Sequence, residues 1–589
     1  MMACRAAIAM ALKRLAVPAT SRYHPFMRNP ISARRLPILA LALLAACAAS
    51  GTSGEAGGAS EAPRGAFGSY LVGRMAISDS DTRMAADSLL TALRAAPEEP
   101  EVLTRAFIAT VLDGRADALR LARRLPDNPI AQLLVAGADA QAGRWERAEQ
   151  RFRALPRQGA THVLQPMLVA WAQQGRGQTD AALATLRPLT ESGRLRGLHA
   201  LHAAMIADLA GRPRDADRYI RVALAETEQP TARLIQVAAG ILARAGREAD
   251  AIRLLEQNLR SQDDLALESG EEGRRRLLAS QPVAAPIEGI AEAQLALAAA
   301  LRGQAAPEFS LLLTRLALRL RPGFAPALLL AADALAQEDQ HAAALALIND
   351  VPEGDAMAGA AALRRAGYLE RLNRHDEAAT VLRSLAAARP VAWQPLARLG
   401  DLERARSRWV DAVEAYDGAV ARIATAQTQD WPIFYARGIA QERAGRWPRA
   451  EADFRRALEL SPEQPFVLNY LGYSWLEQGL NLTEARAMLE RAVALRPNDG
   501  NIADSLGWAL FKLGDMPGAI RWLERAVELE SRSSVINDHL GDAYWLAGRR
   551  REAEFQWRRA LTLGPEQGEG PRIEAKLRDG LPGGAPPRP

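Results

Sequence analysis

The sequence predicts an all-α chain wound as a superhelical solenoid of helix–turn–helix repeats in two blocks, and three observations predict it. Four glycines, Gly438, Gly472, Gly507 and Gly541, recur at spacings of 34, 35 and 34 residues. No segment sustains the alternation of a half-buried strand. Hydrophobic residues make up 49% of the chain and aromatics only 5%, with alanine dominant, a composition that favours helix over sheet. The 589 residues exceed what one compact core encloses but suit a stacked array.

Each position of the unit has a physical reason. A glycine inside a helix costs about 1 kcal/mol against alanine, so four at one register mark places where two helices approach too closely for a side chain. Alanines follow at matched offsets: Ala450, Ala485, Ala519 and Ala553, then Ala457, Ala492, Ala526 and Ala560. Between each pair stands a large apolar residue, Phe454, Leu489, Leu523 or Trp557. Pro462, Pro497 and Pro565 end three of the units, because proline cannot continue a helix, and Ser531 holds that place in the other. Gly445, Gly479, Gly514 and Gly548 fall between the two helices of each unit, where the turn needs a permissive backbone.

Taken in order, the chain opens with a leader, residues 1–46. Its apolar run at 36–46 follows Arg34 and Arg35 and is too short to span a bilayer, which takes about 20 residues. It has the length of a signal-peptide core, and the basic residues Arg28, Arg34 and Arg35 point to translation from Met27. The run ends Leu44-Ala45-Ala46-Cys47 and resembles the lipobox of bacterial lipoproteins, which implies acylation at Cys47. Residues 47–65, rich in Gly, Ser and Ala, read as a flexible tether. A worn form of the repeat then fills 66–259: Gly73, Ala85, Leu89, Ala92 and Pro97; a shortened unit turning at Asp113-Gly114-Arg115; then Ala148/Phe152, Ala182/Leu186, Ala216/Ile220 and Ala251/Leu255. Residues 260–290 break the phase and read as a linker or irregular helix between blocks. The second array, 291–565, resumes through Ser310, Ala344, Ala378 and Ala412 before the strong stretch. Residues 566–589 read as a short helix and a Pro/Gly-rich tail.

Charge and chemistry narrow the function. The formal net charge is +5, but residues 1–46 hold seven basic residues and no acid, so removing them leaves −2 and no case for nucleic-acid binding. Of the two cysteines, Cys4 and Cys47, only the second survives processing, which excludes an internal disulfide or a cysteine metal cluster. No catalytic, phosphate-binding or metalloprotease motif occurs. The sequence therefore predicts no enzyme, no cofactor and no metal. His199 and His202 share a helix face without a carboxylate to complete a metal site, and read as packing or surface residues. Glu271, Glu272 and Arg274 to Arg276 read as a solvated face.

The in-phase units, with Leu471-Gly472, Leu506-Gly507, Leu540-Gly541, the paired alanines and the terminal prolines, resemble the tetratricopeptide-repeat family. The segments Ala503 to Trp508 and Asn537 to Asp542 look like those of proteobacterial envelope lipoproteins carrying this repeat. The resemblance implies about 13 units, first helices lining a concave groove, and a scaffold that binds partner proteins there. It places Tyr435, Asn469, Tyr473, Asp504, Trp508, Phe511, Asp538, Asp542 and Trp545 on that groove. It implies envelope proteins as partners, in assembly, export or recruitment of peptidoglycan enzymes, and, with Ala48 after the lipobox-like cysteine, an outer-membrane location facing the periplasm, an inner-membrane anchor or a soluble periplasmic protein being the alternatives. A carbohydrate- or peptidoglycan-binding module, or an accessory subunit of polysaccharide export, is the alternative.

Overall fold

Helices follow one another without a strand among the described residues. The computed structural model describes residues 65–581 apart from 157, 158, 194, 260–262, 269, 303–306 and 567. The expected leader, Cys47 and nearly all of the tether lie outside them. The first block runs through α1 (Ala66–Ser78), α2 (Thr82–Ala95), α3 (Pro100–Leu112), α4 (Ala118–Ala122), α5 (Pro129–Gln141), α6 (Trp145–Ala154), α7 (Gly159–Gly175), α8 (Thr179–Glu191), α9 (Arg196–Leu209), α10 (Pro213–Ala225), α11 (Ala232–Arg244) and α12 (Glu248–Asn258). Each odd-numbered helix pairs with the next as an antiparallel hairpin.

The phase break is helical. It contains α13 (Asp263–Ala266) and α14 (Glu271–Ala279), and α14 packs on α11 and α12. Hairpins resume as α15 (Pro286–Leu301) with α16 (Pro307–Leu320), α17 (Ala325–Gln337) with α18 (His341–Ile348), α19 (Ala358–Arg371) with α20 (His375–Ala388), and α21 (Gln394–Ala405) with α22 (Trp409–Ala421). A single 3-10 turn, Thr428–Asp430, precedes the last hairpins. These are α23 (Trp431–Arg443) with α24 (Trp447–Leu460), α25 (Pro465–Gln478) with α26 (Leu482–Leu495), α27 (Gly500–Lys512) with α28 (Met516–Leu529), and α29 (Ser534–Leu546) with α30 (Arg550–Thr562). A final helix, α31 (Glu569–Asp579), lies on α30.

The repeat glycines do what their register predicts. A Cβ on Gly438 would stand 2.6 Å from the Phe454 ring, on Gly507 2.7 Å from Leu523, and on Gly541 2.5 Å from the Trp557 indole. On Gly472 it would stand 3.0 Å from the Ala485 carbonyl oxygen and 3.2 Å from Leu489. The large residue of the second helix thus fills the gap its own unit's glycine leaves. Phe454 also reaches the next unit, 5.2 Å from the Tyr470 ring. The worn units keep the same lock: Gly73 under Leu89 and Gly400 under Tyr416, each at 2.6 Å. The alanines of the strong stretch are fully buried. Between helices, Gly445 and Gly548 hold φ of +73° and +80°, the left-handed turn that favours glycine.

The two blocks pack differently. α15 and α16, which follow the irregular segment, turn back onto α3, α5, α7 and α9, the first helices of four successive hairpins of the first block, while α16 also packs on α17. Gly289 on α15 sits where a Cβ would meet the Trp171 indole at 2.1 Å, and Gly137 on α5 accepts Leu320 of α16. Gln141 donates to the Arg319 carbonyl at 3.0 Å, and buried Glu292 on α15 pairs with Arg233 on α11. The turn before α18 meets the turn after α1, where Ser80 donates to Glu338 at 3.2 Å and Gln340 to the Asp79 carbonyl at 3.3 Å. One apolar core consequently runs from Ala76 to Ala415. The last hairpins instead carry a chain of small cores, Ala412 to Ala485, Leu468 to Ala519 and Leu523 to Ile573, one handed to the next.

The irregular segment also anchors the block. Glu268 is fully buried and accepts from Arg276 at 3.1 Å and from Arg389 at 3.0 Å. Arg276 is therefore not part of a solvated face, although Glu271, Glu272 and Arg275 are exposed. An ion pair buried this deeply is costly to break from either side. No described helix is long and apolar enough to cross a membrane.

Candidate partner-binding site

The expected groove residues lie on the first helices α23, α25, α27 and α29, and the structure sorts them into three groups. Tyr435 belongs to packing between units: its ring lies 6.0 Å from Trp431, 6.1 Å from Phe454 and 5.9 Å from Tyr470. Burial drives its phenol far above the ordinary tyrosine range.

Asp538, Asp542 and Trp545 are taken up by the chain's own end. The Lys576 ammonium on α31 donates to Asp538 at 2.8 Å and to Asp542 at 2.8 Å, with all three side chains largely buried. Asp542 also accepts from Trp557 Nε1 at 2.9 Å. Burial raises the Asp542 pKa against the pull of Lys576, with Asp538 adding repulsion. Trp545 lies under the Gly580 backbone, where a Cβ would meet its ring at 2.2 Å. The helix expected after residue 566 therefore caps the array and neutralises two acids of its last first helix.

The third group forms a continuous inner strip on α25 and α27. Asn469, Tyr473, Trp508 and Phe511 are half-buried, and Asp504 is buried beside them. Trp508 lies nearly parallel to Phe511, at 4.7 Å and 8°, and to His539 of α29, at 4.0 Å and 15°. Trp508 Nε1 donates to Glu477 at 3.0 Å, and Lys512 donates to the same carboxylate at 3.2 Å. Asp504 faces His539 Nδ1 at 3.0 Å. Burial pulls the His539 pKa down, but Asp504, with Asp542 and Asp538 behind it, outweighs this and raises it. Burial, Glu477 and Asp504 together push the Tyr473 phenol up. Asn469 Oδ1 is sealed from solvent and has no hydrogen-bond partner. The rings are thus fixed by stacking and hydrogen bonds, while α25 and α27 pack on their own hairpin partners and nearest neighbours.

Glu477 and His539 complete this strip and are not on the expected set. Each sits one turn of helix from an expected residue, Glu477 after Tyr473 and His539 before Asp542, so the helical period could have found them. His199 and His202 are packing residues: both are buried, and His202 accepts from Trp171 Nε1 at 3.0 Å. Burial holds the His202 pKa down to about 3. No group of three potential metal ligands occurs among the described residues.

The tetratricopeptide-repeat family model matches residues 363–427, 435–499 and 481–533. A TPR repeat-containing protein of Pseudomonas aeruginosa is 30% identical over 114 residues, which span 19% of this chain and 19% of that protein. Among solved structures, the Cut9-Hcn1 hetero-tetramer of APC/C is 15% identical with a TM-score of 0.36, over 88% of this chain and 97% of that one. A tetratricopeptide repeat protein from Parabacteroides merdae is 14% identical with a TM-score of 0.34, over 43% and 96%. The glycine locks at Gly400, Gly438, Gly472 and Gly507 fall inside the matched segments, so residues 363–427 and 435–533 carry tetratricopeptide repeats.

Proposed function

We propose that this chain is a non-catalytic scaffold that holds partner proteins on the inner strip of α25 and α27, tethered by lipid at Cys47 to the outer membrane and facing the periplasm. The observation that carries the binding site is a difference between like surfaces. The inner face of the first block is filled by the chain's own α15–α16 hairpin, whereas none of the described elements is packed over the strip of Asn469, Tyr473, Trp508 and Phe511. The occupant of the first face indicates the class of partner for the second: an amphipathic helical segment. Stacked rings supply contact area at little entropic cost because they are already held in place. Support for the anchor is the lipobox-like Leu44 to Cys47 after a signal-length apolar run.

Crosslinked capture of the mature protein from membranes, with a Tyr473→Ala/Trp508→Ala double variant alongside, tests the site. Loss of a central aromatic anchor costs about 2 kcal/mol or more, so helical partners captured by the native chain are expected to fall at least about ten-fold. Unaltered capture by a folded variant overturns the site, and envelope glycan in place of protein overturns the partner class. Cys47→Ser is expected to move the protein to the soluble fraction; persistent membrane association overturns the anchor.

A further inference from the structure

Several buried or half-buried cations among the described residues are matched to carboxylates. Arg364 pairs with Asp264 and Asp333, Arg437 with Asp453 and Asp417, Lys576 with Asp538 and Asp542, and Arg233 with Glu292. Arg315 on α16 departs from this pattern. Its guanidinium stands above the Gly114 turn after α3, 3.5 Å from where a Cβ there would be. Its Nε is sealed from solvent with no hydrogen-bond partner. Asp113, on the same turn as Gly114, is engaged by Arg115 at 2.6 Å and by Thr82 at 3.2 Å. Burial lowers the Arg315 pKa and only the distant pull of Asp113 opposes it. Arg315 is half-buried, and a cation withdrawn even in part from water without its own counter-ion is costly.

The same guanidinium lines a cavity of about 280 Å³ between α16, the turn after α3 and the end of α18. Arg115 and Arg319 join it at the polar end, and Arg319 donates only to the Arg115 carbonyl, at 3.3 Å. The remaining wall is largely apolar, with Leu134, Leu316, Leu328 and Leu347 among its residues, and the exposed Asp350 lies at the rim.

From the unpaired Arg315 and the apolar wall behind it, we infer that this cavity binds a small amphiphile with one anionic head and a short hydrocarbon tail. The head, a carboxylate or a phosphate monoester, takes the place of the missing counter-ion on Arg315 and Arg319. The tail lies against the leucines. The site is distinct from the partner strip and sits where the α15–α16 hairpin seats on the first block, so its occupancy strengthens that seating.

Calorimetric titration of the full mature chain with octanoate, octyl phosphate, octan-1-ol and inorganic phosphate tests this. Octanoate or octyl phosphate is expected to bind, and whichever is tighter identifies the head. Octan-1-ol, lacking the charge, and inorganic phosphate, lacking the tail, are each expected to bind at least ten-fold more weakly, since a charge-assisted hydrogen bond contributes about 1.5–3 kcal/mol. Arg315→Met should lose octanoate binding by at least ten-fold while its Tm rises, because an unpaired buried charge is removed. Leu347→Trp, which fills the cavity without touching the cation, should lose binding as well. No heat from either amphiphile, equal binding of octan-1-ol, equal binding of inorganic phosphate, or undiminished binding by Leu347→Trp each overturns the inference.

Discussion

The two ends of this chain use one repeat in two ways. In the last hairpins each unit touches mainly its neighbours and the core is a series of small clusters. In the first block the same kind of hairpin surrounds an internal one, and a single core joins residues some 340 positions apart. A repeat array is ordinarily quasi-one-dimensional, its stability a sum of local and nearest-neighbour terms. Filling the inner face converts the first block into something closer to a globular domain, where a distant residue can be as important as an adjacent one.

The sharpest way to break that contrast is Trp171→Ala. The indole is fully buried, lies against Gly289 of α15 and donates to His202. A buried tryptophan truncated to alanine costs about 3–5 kcal/mol, and here the loss is expected to spread. Hydrogen exchange should rise across α7, α9, α15 and α16 together, with α25 to α30 unaffected. Exchange confined to α7 would mean that the internal hairpin is not a cooperative part of the block.

Gly507→Leu probes the opposite regime. The new side chain meets Leu523 and its backbone nitrogen at 2.7 to 3.0 Å, and overpacking costs about 1–3 kcal/mol. Exchange should increase in α27, α28 and the hairpins beside them and nowhere in the first block. An unchanged melting curve would show that the glycine is not a close crossing.

The smallest effect separates the blocks by pH. His202 stays neutral in the folded chain because burial holds its pKa down to about 3, against 6.5 for the free side chain. Its contribution is therefore complete above pH 6.5 and is lost as pH falls toward 3, since the unfolded state takes up the proton first. At about 1.36 kcal/mol per unit, the loss is about 2 kcal/mol at pH 5. His202→Gln keeps an acceptor for Trp171 but does not titrate, so its stability profile should be flatter between pH 6.5 and 4. Parallel profiles for the two proteins would remove His202 as the cause.

Much of this architecture was legible because it is written in steric terms that repeat. Gly73, Gly438, Gly507 and Gly541 announce a close approach, and the residue sixteen positions later fills it in each. Even worn units kept Ala148/Phe152 and Ala251/Leu255 fully buried. What does not repeat was not legible. The return of α15–α16 onto the first block rests on Gly289 against Trp171 and Glu292 against Arg233, single long-range matches with no period to reveal them. The strip on α25 and α27 follows from register, which locates inner positions. Register says nothing of which partner each one takes, so it does not distinguish Asp538 and Asp542, held by Lys576, from Asp504, held by His539.

That last helix has a further consequence. A stack of like units has no intrinsic length; each terminal face is shaped to receive another copy of itself. By placing Ile573 in the apolar seat and Lys576 against the two aspartates, α31 occupies the berth that a following first helix would take. The eleven residues of α31 thus withdraw from solvent the apolar and acidic face that the last hairpin would otherwise present.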